Sequence, residues 1–262
     1  MKIIKLALAL VFGIVLSVLM MDLPGQKKKA LIQGGVVYME ADQSVTFLEN
    51  GRDTRRLETE VDESIDIEDS KVGQLWYYLD YVEGSTGFWV EYMNWDDSGS
   101  FNTPSKFFGP YTFTGNVSSS YEVSVLQAMF YESSEAGDIG VGLVGLRQEL
   151  SINSTERATE KLDALMPSLR WRYVANVTDS FYYRLEAQYM SWLDEVKGHD
   201  LMGEIGYDHQ FNDQYGRSGL GSERLKVAVG YRQFKAKGKI DHGEIDVKFD
   251  GPYVRLEVGT DF

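Results

Sequence analysis

The amino-acid pattern predicts an all-β protein: a transmembrane, antiparallel, up-and-down β-barrel of about ten strands, with eight strands plus an outer hairpin as the alternative. Three observations predict it. Segments of about ten residues alternate apolar and polar side chains, the mark of a strand with two different faces. These segments are longer than the five or six residues usual in soluble sheets. After residue 21 no run approaches the roughly 18 apolar residues of a membrane helix, so a membrane form has to be a closed barrel, the other structure that satisfies every backbone group in lipid.

The chain opens with a targeting segment. Lys2 and Lys5 flank the start of "LALALVFGIVLSVLMM" (Leu6 to Met21), an apolar run of 16 residues. A short positive region before a run of this length suits an export signal and falls short of a comfortable span. Residues 1–25 are read as the signal peptide, with cleavage between residues 20 and 30; an uncleaved anchor is the alternative. Residues 26–262 are read as one barrel domain. The chain has no Cys, so neither acylation nor a disulfide is expected.

The strand segments fall near 33–48, 72–82, 87–96, 119–131, 138–150, 167–177, 180–192, 200–211, 223–236 and 251–262. In "FYYRLEAQYMSW", Phe181, Tyr183, Leu185, Ala187 and Tyr189 share one face and Arg184, Glu186 and Gln188 the other. "SLRWRYVA" sets Leu169, Trp171, Tyr173 and Ala175 against Arg170 and Arg172. "LMGEIGYDHQF" sets Leu201, Ile205 and Tyr207 against Glu204 and Asp208, and "LKVAVGYRQF" sets Leu225, Val227, Val229 and Tyr231 against Lys226 and Arg232. "GDIGVGLVGLRQEL" alternates less cleanly, and a bulge is expected near Gly145. The links alternate between short turns (83–86, 132–138, 176–180) and long loops (49–71, 97–118, 151–166, 237–250). Residues 193–199 and 212–222 break that alternation.

Composition narrows the function. Aromatics make up 13% of the chain, with 16 Tyr, and the formal charge of −14 argues against a nucleic-acid partner, whose phosphates need a basic surface. Alternation alone does not say which face is inside, because a soluble barrel with its apolar face inward has the same period. The export signal, the strand length and the aromatics near strand ends in "LWYYLDY", "FWVEYMNW" and "RWRY" point to an apolar face turned to lipid, with interfacial aromatic girdles.

The last segment, "GPYVRLEVGTDF", carries Val254, Leu256, Val258 and Phe262 on one face and Tyr253, Arg255 and Glu257 on the other. With its terminal Phe it resembles the β-signal of Gram-negative outer-membrane proteins. The resemblance covers roughly residues 33 to 262 at class level and names an architecture. It implies an outer-membrane location among lipid and lipopolysaccharide, and recognition of Val254, Leu256, Val258 and Phe262 by the barrel-assembly machinery.

The polar faces supply the candidate lumen residues: Glu40, Asp80, Glu91, Arg170, Arg172, Arg184, Glu186, Gln188, Glu204, Asp208, Lys226, Arg232, Arg255 and Glu257. Both signs are present. In a barrel of this size side chains fill the interior, so these groups are expected to pair across it, giving either a structural, charge-plugged barrel or a narrow passive channel of porin-like type.

Other chemistry is thinly represented. Residues 49–71 hold nine acids and four bases, and Asp62, Glu63, Asp66, Glu68 and Asp69 are dense enough to attract Ca²⁺ or Mg²⁺, but their spacing matches no EF-hand and a solvated loop is the plain reading. "FNTPSKFFGPYTF" (101–113) reads as a loop with exposed aromatics. His209 falls on the apolar face near a strand end and suits an interface. Asp96, Asp97, Asp241 and His242 resemble the rim pairs of omptin proteases, which also have ten strands. Here the pairs are adjacent in sequence, so their side chains point oppositely on a strand. No cofactor motif and no metal motif of paired His or Cys is present, and no enzymatic role is expected. A rim-site hydrolase, and a soluble periplasmic barrel binding a lipid-like ligand, are the alternatives.

Overall fold

In the computed structural model, described for residues 30–50, 62–108, 111–154, 157–192, 196–211, 223–240 and 243–261, ten antiparallel strands close into one barrel. They are β1 (Ala30–Asn50), β2 (Asp62–Glu83), β3 (Thr86–Phe108), β4 (Tyr111–Ser134), β5 (Gly137–Asn153), β6 (Arg157–Asn176), β7 (Phe181–Trp192), β8 (Val196–Phe211), β9 (Glu223–Ile240) and β10 (Gly243–Asp261). Each pairs with its neighbours in sequence, and β1 pairs with β10 to close the ring. Ten strands, not eight with an outer hairpin, make the wall. The tight links gather at one end: Gly84 (φ 63°) turns β2 into β3, and Gly137 (φ 109°) starts β5. Both angles lie where residues with a Cβ are disfavoured.

The strands are much longer than a bilayer requires. β4 has 24 residues, against about 9–11 for a tilted membrane strand. Segments expected as long external loops are therefore mostly strand: 97–108, 111–118, 157–166 and 243–250 extend β3, β4, β6 and β10, and 62–71 extends β2. β8 starts at Val196, so 196–199 also joins the wall. Residues 101–108 and 111–113 are the end of β3 and the start of β4, and Phe113, expected to be exposed, is buried. The backbone of the acid-rich stretch 62–69 runs along β2; its side chains lie outside the described residues. So do the signal segment, 212–222, Asp241, His242 and Phe262.

The reason for the extra length is written across the two faces. Near the turn end, outward residues are apolar and exposed: Ile139, Val141 and Leu143 on β5, Leu165 and Leu169 on β6, Val227 and Val229 on β9, Val254, Leu256 and Val258 on β10. Inward residues at that level are polar. Farther along the same strands the faces exchange character. Outward positions become Arg147 and Glu149, Asp163 and Lys161, Lys235 and Lys237, Lys248 and Asp246. Inward positions become Leu146, Leu150 and Ile152, Leu162 and Met166, Phe234 and Ala236, Phe249 and Val247, all buried. One level is a barrel built for lipid; the next is a barrel built for water. The expected bulge near Gly145 is absent. β5 pairs with β4 and β6 in unbroken register through Gly145↔Leu126 and Gly145↔Leu165. The pattern blurs there because the outward face passes from Leu143 to Arg147. Register shifts occur instead between Gln43 and Val45 and between Thr103 and Lys106.

Beyond the apolar belt the ring also divides. The β2–β3 ladder stops at Leu75↔Asn94 and the β6–β7 ladder at Ser168↔Met190. This leaves two walls, β3–β6 and β8–β9–β10–β1–β2, pressed together by apolar side chains. Trp95 of one wall meets Phe249 of the other edge-on at 4.8 Å, and Phe249 stacks on Phe234 at 4.8 Å. The far level is in effect a two-sheet sandwich on top of a barrel.

The two levels respond differently to one substitution on one face of one strand. Leu169→Arg, in the belt of β6, is expected to cost about 2–4 kcal/mol of folding free energy in lipid vesicles. Thr159→Arg, ten residues along the same outward face, is expected to cost about 0.5 kcal/mol or less. Denaturant titration of both variants in phosphatidylcholine vesicles measures the difference.

Candidate functional site: the lumen network

The polar level of the interior is a connected set of charges. Arg172 on β6 reaches Asp80 of β2 at 2.8 Å and Asp138 of β5 at 2.6 Å. Arg170 and Arg184 share Glu186, at 2.6 and 2.7 Å. Glu204 of β8 accepts from Arg255 of β10, which also pairs with Glu257 at 2.5 Å; Lys226 of β9 holds the other oxygen of Glu257 at 2.6 Å. Higher up, Arg232 grips Asp200 with two donors, at 2.9 and 2.5 Å, and Glu91 at 2.5 Å. Near the turn end Arg224 pairs with Asp208 at 2.6 Å. Asp80, Glu91, Arg170, Arg172, Arg184, Glu186, Gln188, Glu204, Arg232, Arg255 and Glu257 are all buried, and Asp208 and Lys226 are half-buried. The side chain of Glu40 lies outside the described residues. Charges this deep have to be paired, because an uncompensated one costs several kcal/mol.

Aromatic rings fill the space between the ions. Four arginines lie over four rings: Arg170 over Trp89 (3.7 Å to the centroid), Arg172 over Tyr131 (4.6 Å), Arg232 over Trp76 (4.9 Å) and Arg255 over Tyr78 (5.6 Å). The rings come from β2–β4 and the guanidiniums from β6, β9 and β10, so each contact joins strands that are not neighbours in the wall. Four inward tyrosines also sit directly opposite a glycine on the next strand: Tyr78↔Gly35, Tyr131↔Gly87, Tyr182↔Gly206 and Tyr253↔Gly230. In each pair the ring occupies the volume that a Cβ on the glycine would take. Lying flat over the glycine aims the phenol across the lumen. Tyr131 donates to Asp80 at 2.5 Å, Tyr253 to Glu204 at 2.7 Å and Tyr78 to Glu257; Tyr182 accepts from Arg255 at 2.8 Å.

These tyrosines correct the reading of the aromatic clusters as girdles. In "LWYYLDY" Trp76 and Tyr78 point inward, and Tyr77 outward; in "FWVEYMNW" Trp89 and Trp95 point inward and Tyr92 outward. Neighbouring residues on a strand cannot share a face. A girdle does form on β6–β8 near the turn end, where Trp171 stacks with Tyr173 at 6.1 Å and Phe181 meets Tyr207 at 5.2 Å. His209 is exposed there and stacks on Tyr207 at 6.3 Å. Asp138, Asp200 and Arg224 were missed because two of them stand at strand ends and one in an expected turn. Their signal was parity: Asp200 is in step with Glu204, and Arg224 with Lys226.

Within the polar level the void between Trp76, Trp89, Glu91, Arg184 and Arg255 measures about 10 Å³, room for about one water molecule. Beyond it Met39, Met93, Val125, Met129, Val144 and Phe234 close the bore. Burial there pushes the Tyr121 phenol well above its ordinary value, and it accepts from Gln148 at 3.3 Å. Outside, on the water level, the guanidinium of Arg147 forks onto Asp163 at 2.6 and 2.8 Å and holds that carboxyl below its ordinary range.

Of the rim residues, Asp241 and His242 lie outside the described residues. Asp96 and Asp97 are consecutive on β3, opposite Glu122 and Tyr121. Val254, Leu256 and Val258 are exposed on the outer face of β10.

No protein-family model and no curated protein sequence matches the chain. Among solved structures it is similar to Ail, the attachment invasion locus protein of Yersinia pestis, at 10% identity over 90% of this chain and 100% of that one, with a TM-score of 0.37. It is similar to the outer membrane protein OprG from Pseudomonas aeruginosa at 13% identity, over 90% and 96% of the two chains, with a TM-score of 0.32. It is also similar to the translocator domain of the autotransporter NalP from Neisseria meningitidis at 11% identity, over 98% and 97%, with a TM-score of 0.32. At these scores the function has to be argued from the chain's own geometry.

Three substitutions probe the network. Gly87→Ala forces a methyl group into the ring of Tyr131 and is expected to cost about 1–3 kcal/mol. In a Tyr131→Ala background the same change is expected to cost less, and a double-mutant cycle by denaturant titration reads the coupling. Arg232→Met strands Glu91 and Asp200 and is expected to cost about 3–5 kcal/mol, measured in the same way.

Proposed function

We propose that this chain is an outer-membrane β-barrel protein with a structural role, whose lumen does not conduct. The observation that carries this reading is the filled bore: an ion-paired network with tyrosines at the belt level, capped by an apolar core at the water level. The outer belt and closed ladder support a position in lipid. Residues 1–25 act as the export signal. The exposed alternation of Val254, Leu256 and Val258, with Phe262, serves as the address for the assembly machinery. The surrounding outer-membrane lipid and lipopolysaccharide are the constant partners.

A narrow passive channel is the second reading. Gln127 Oε1, Gln188 Oε1 and Arg170 Nε are buried without a hydrogen-bond partner, and these mid-lumen atoms would line a water path if the apolar cap parted.

The test is single-channel recording of detergent-refolded residues 26–262 in a planar bilayer. A silent bilayer, with insertion confirmed by a heat-modifiable gel band, is the expected result. Discrete conductance steps that change when Arg184 or Glu186 is neutralised would establish the channel instead. Fractionation of expressing cells should place the protein with outer-membrane markers; recovery in the soluble periplasmic fraction would overturn the membrane reading.

A further inference from the structure

Beyond the belt the outward face of β3–β6 changes character row by row. Tyr92, Leu126, Gly145 and Leu165 stand opposite one another in the last apolar row. Farther along, Asp96, Glu122, Glu149 and Lys161 form a charged row. The two rows after it are Ser98, Ser120, Ser151 and Thr159, then Ser100, Ser118, Asn153 and Arg157. Strand surfaces favour Thr, Val and Tyr, and of these residues only Thr159 belongs to that set. Arg157 is their one charge, in a chain of which charged residues make up 25%. Residues of these two rows line an open groove of about 550 Å³, and every residue that lines it is a serine, an asparagine or an arginine.

The groove fits a ligand that presents hydroxyl groups and carries no charge. Side chains directly opposite on neighbouring strands have Cβ atoms about 5 Å apart. A ligand hydroxyl lying between two of them, at about 2.7–2.8 Å from each oxygen, reaches both, donating to one and accepting from the other. Hydrogen bonds within the rows leave acceptors in place. Ser151 Oγ meets Thr159 Oγ1 at 3.2 Å and Ser118 Oγ donates to the Asn153 carbonyl at 3.1 Å, and a hydroxyl that donates keeps two lone pairs. The carboxylates of Asp96, Glu122 and Glu149 border the groove on the belt side and disfavour an anion. A lining of Ser, Asn and Arg offers an apolar molecule no surface. Ser98 lies six residues past Tyr92, and Ser151 six past Gly145. At about 3.3 Å per residue that is about 20 Å along a tilted strand, whereas the headgroup layer is about 5–8 Å deep. We infer that the groove is a binding site for an uncharged saccharide, the hydroxyl-rich neutral chain of a glycan that stands clear of the lipid headgroups. This goes beyond the structural role and rests on the membrane reading only for where the groove stands.

The test is saturation-transfer difference NMR on the refolded chain in a phosphocholine detergent, which contains no sugar. The probes are a glucose hexamer, a mannose hexamer, the dephosphorylated core oligosaccharide of lipopolysaccharide and the acidic galacturonate hexamer. At least one neutral probe is expected to bind with a millimolar dissociation constant, since each hydroxyl contact adds little in water. Binding of the core oligosaccharide alone would support the site and assign it to the cell's own surface lipid; binding of a hexose hexamer would support it and assign it to other glycans. S120V/S151V is expected to bind roughly 10-fold more weakly. S120A/S151A, which removes the same hydroxyls with less bulk, is expected to do likewise, and K235Q, on the other wall, to bind as the wild type does. Absence of binding by every neutral probe at tens of millimolar would overturn the inference. So would preference for the galacturonate hexamer, or a loss caused by R157Q and not by the serine variants, either of which would make the groove an anion site. A dimer that S120V/S151V dissociates, with no sugar bound, would overturn it in favour of a self-association face. Insertion of each variant into phosphatidylcholine vesicles, read by the heat-modifiable band, is scored separately. Failure there counts against the membrane reading, and absence of sugar binding by the inserted chain counts against the groove.

Discussion

A strand that leaves lipid for water has to exchange the character of its two faces at the crossing, and most of this structure depends on that constraint. In lipid the outward side chains are apolar and the inward ones carry whatever polarity the sequence has; in water the apolar side chains turn in to form a core. β5 makes the exchange over four residues, with Ile139, Val141 and Leu143 outward before Gly145 and Arg147, Glu149 and Ser151 after it. The backbone takes no bulge to do so. Register is continuous, so the face that holds Gly140 at one level holds Leu150 at the other. One ladder of hydrogen bonds thus joins two hydrophobic arrangements that are inside-out relative to each other.

The interior follows from that exchange. At the lipid level the wall gives no water to solvate Arg172, Arg232 or Arg255, so each is met by at least one carboxylate and one aromatic face. Such pairs contribute little net stability against an apolar core of the same volume, but they tolerate no missing member. Their geometry depends on the tyrosine–glycine pairs, which lay rings flat along the wall and send phenol groups into the lumen. At the water level the same bore is packed with Phe234, Phe249, Trp95 and their neighbours. The ladder is interrupted there on two sides, and side-chain packing, not hydrogen bonding, holds the walls together.

The ten segments, their antiparallel order and the residues that share each face were legible because period-two alternation is a local property. Arg184, Glu186 and Gln188 can be assigned to one face with no knowledge of any other strand. The extent of the strands was not legible. Residues 157–166 and 243–250 looked like loops because a strand of bilayer length had already been counted, and nothing in a local window says that a barrel ends where the lipid does. Partners were not legible either. Arg172 meets Asp80 across 92 positions of chain, and Tyr78 meets Glu257 across 179. Asp200 escaped notice because it stood at the edge of its segment, although its parity matched Glu204.

The sequence by itself determined the class of fold and which residues of a strand share a face, since both depend on alternation along a single strand. The tertiary structure alone decided whether the bore is open, which charge answers which, and where a row such as Ser98, Ser120, Ser151 and Thr159 comes together. Those properties depend on register between strands and on closure of the ring, which bring into contact residues that no local pattern relates.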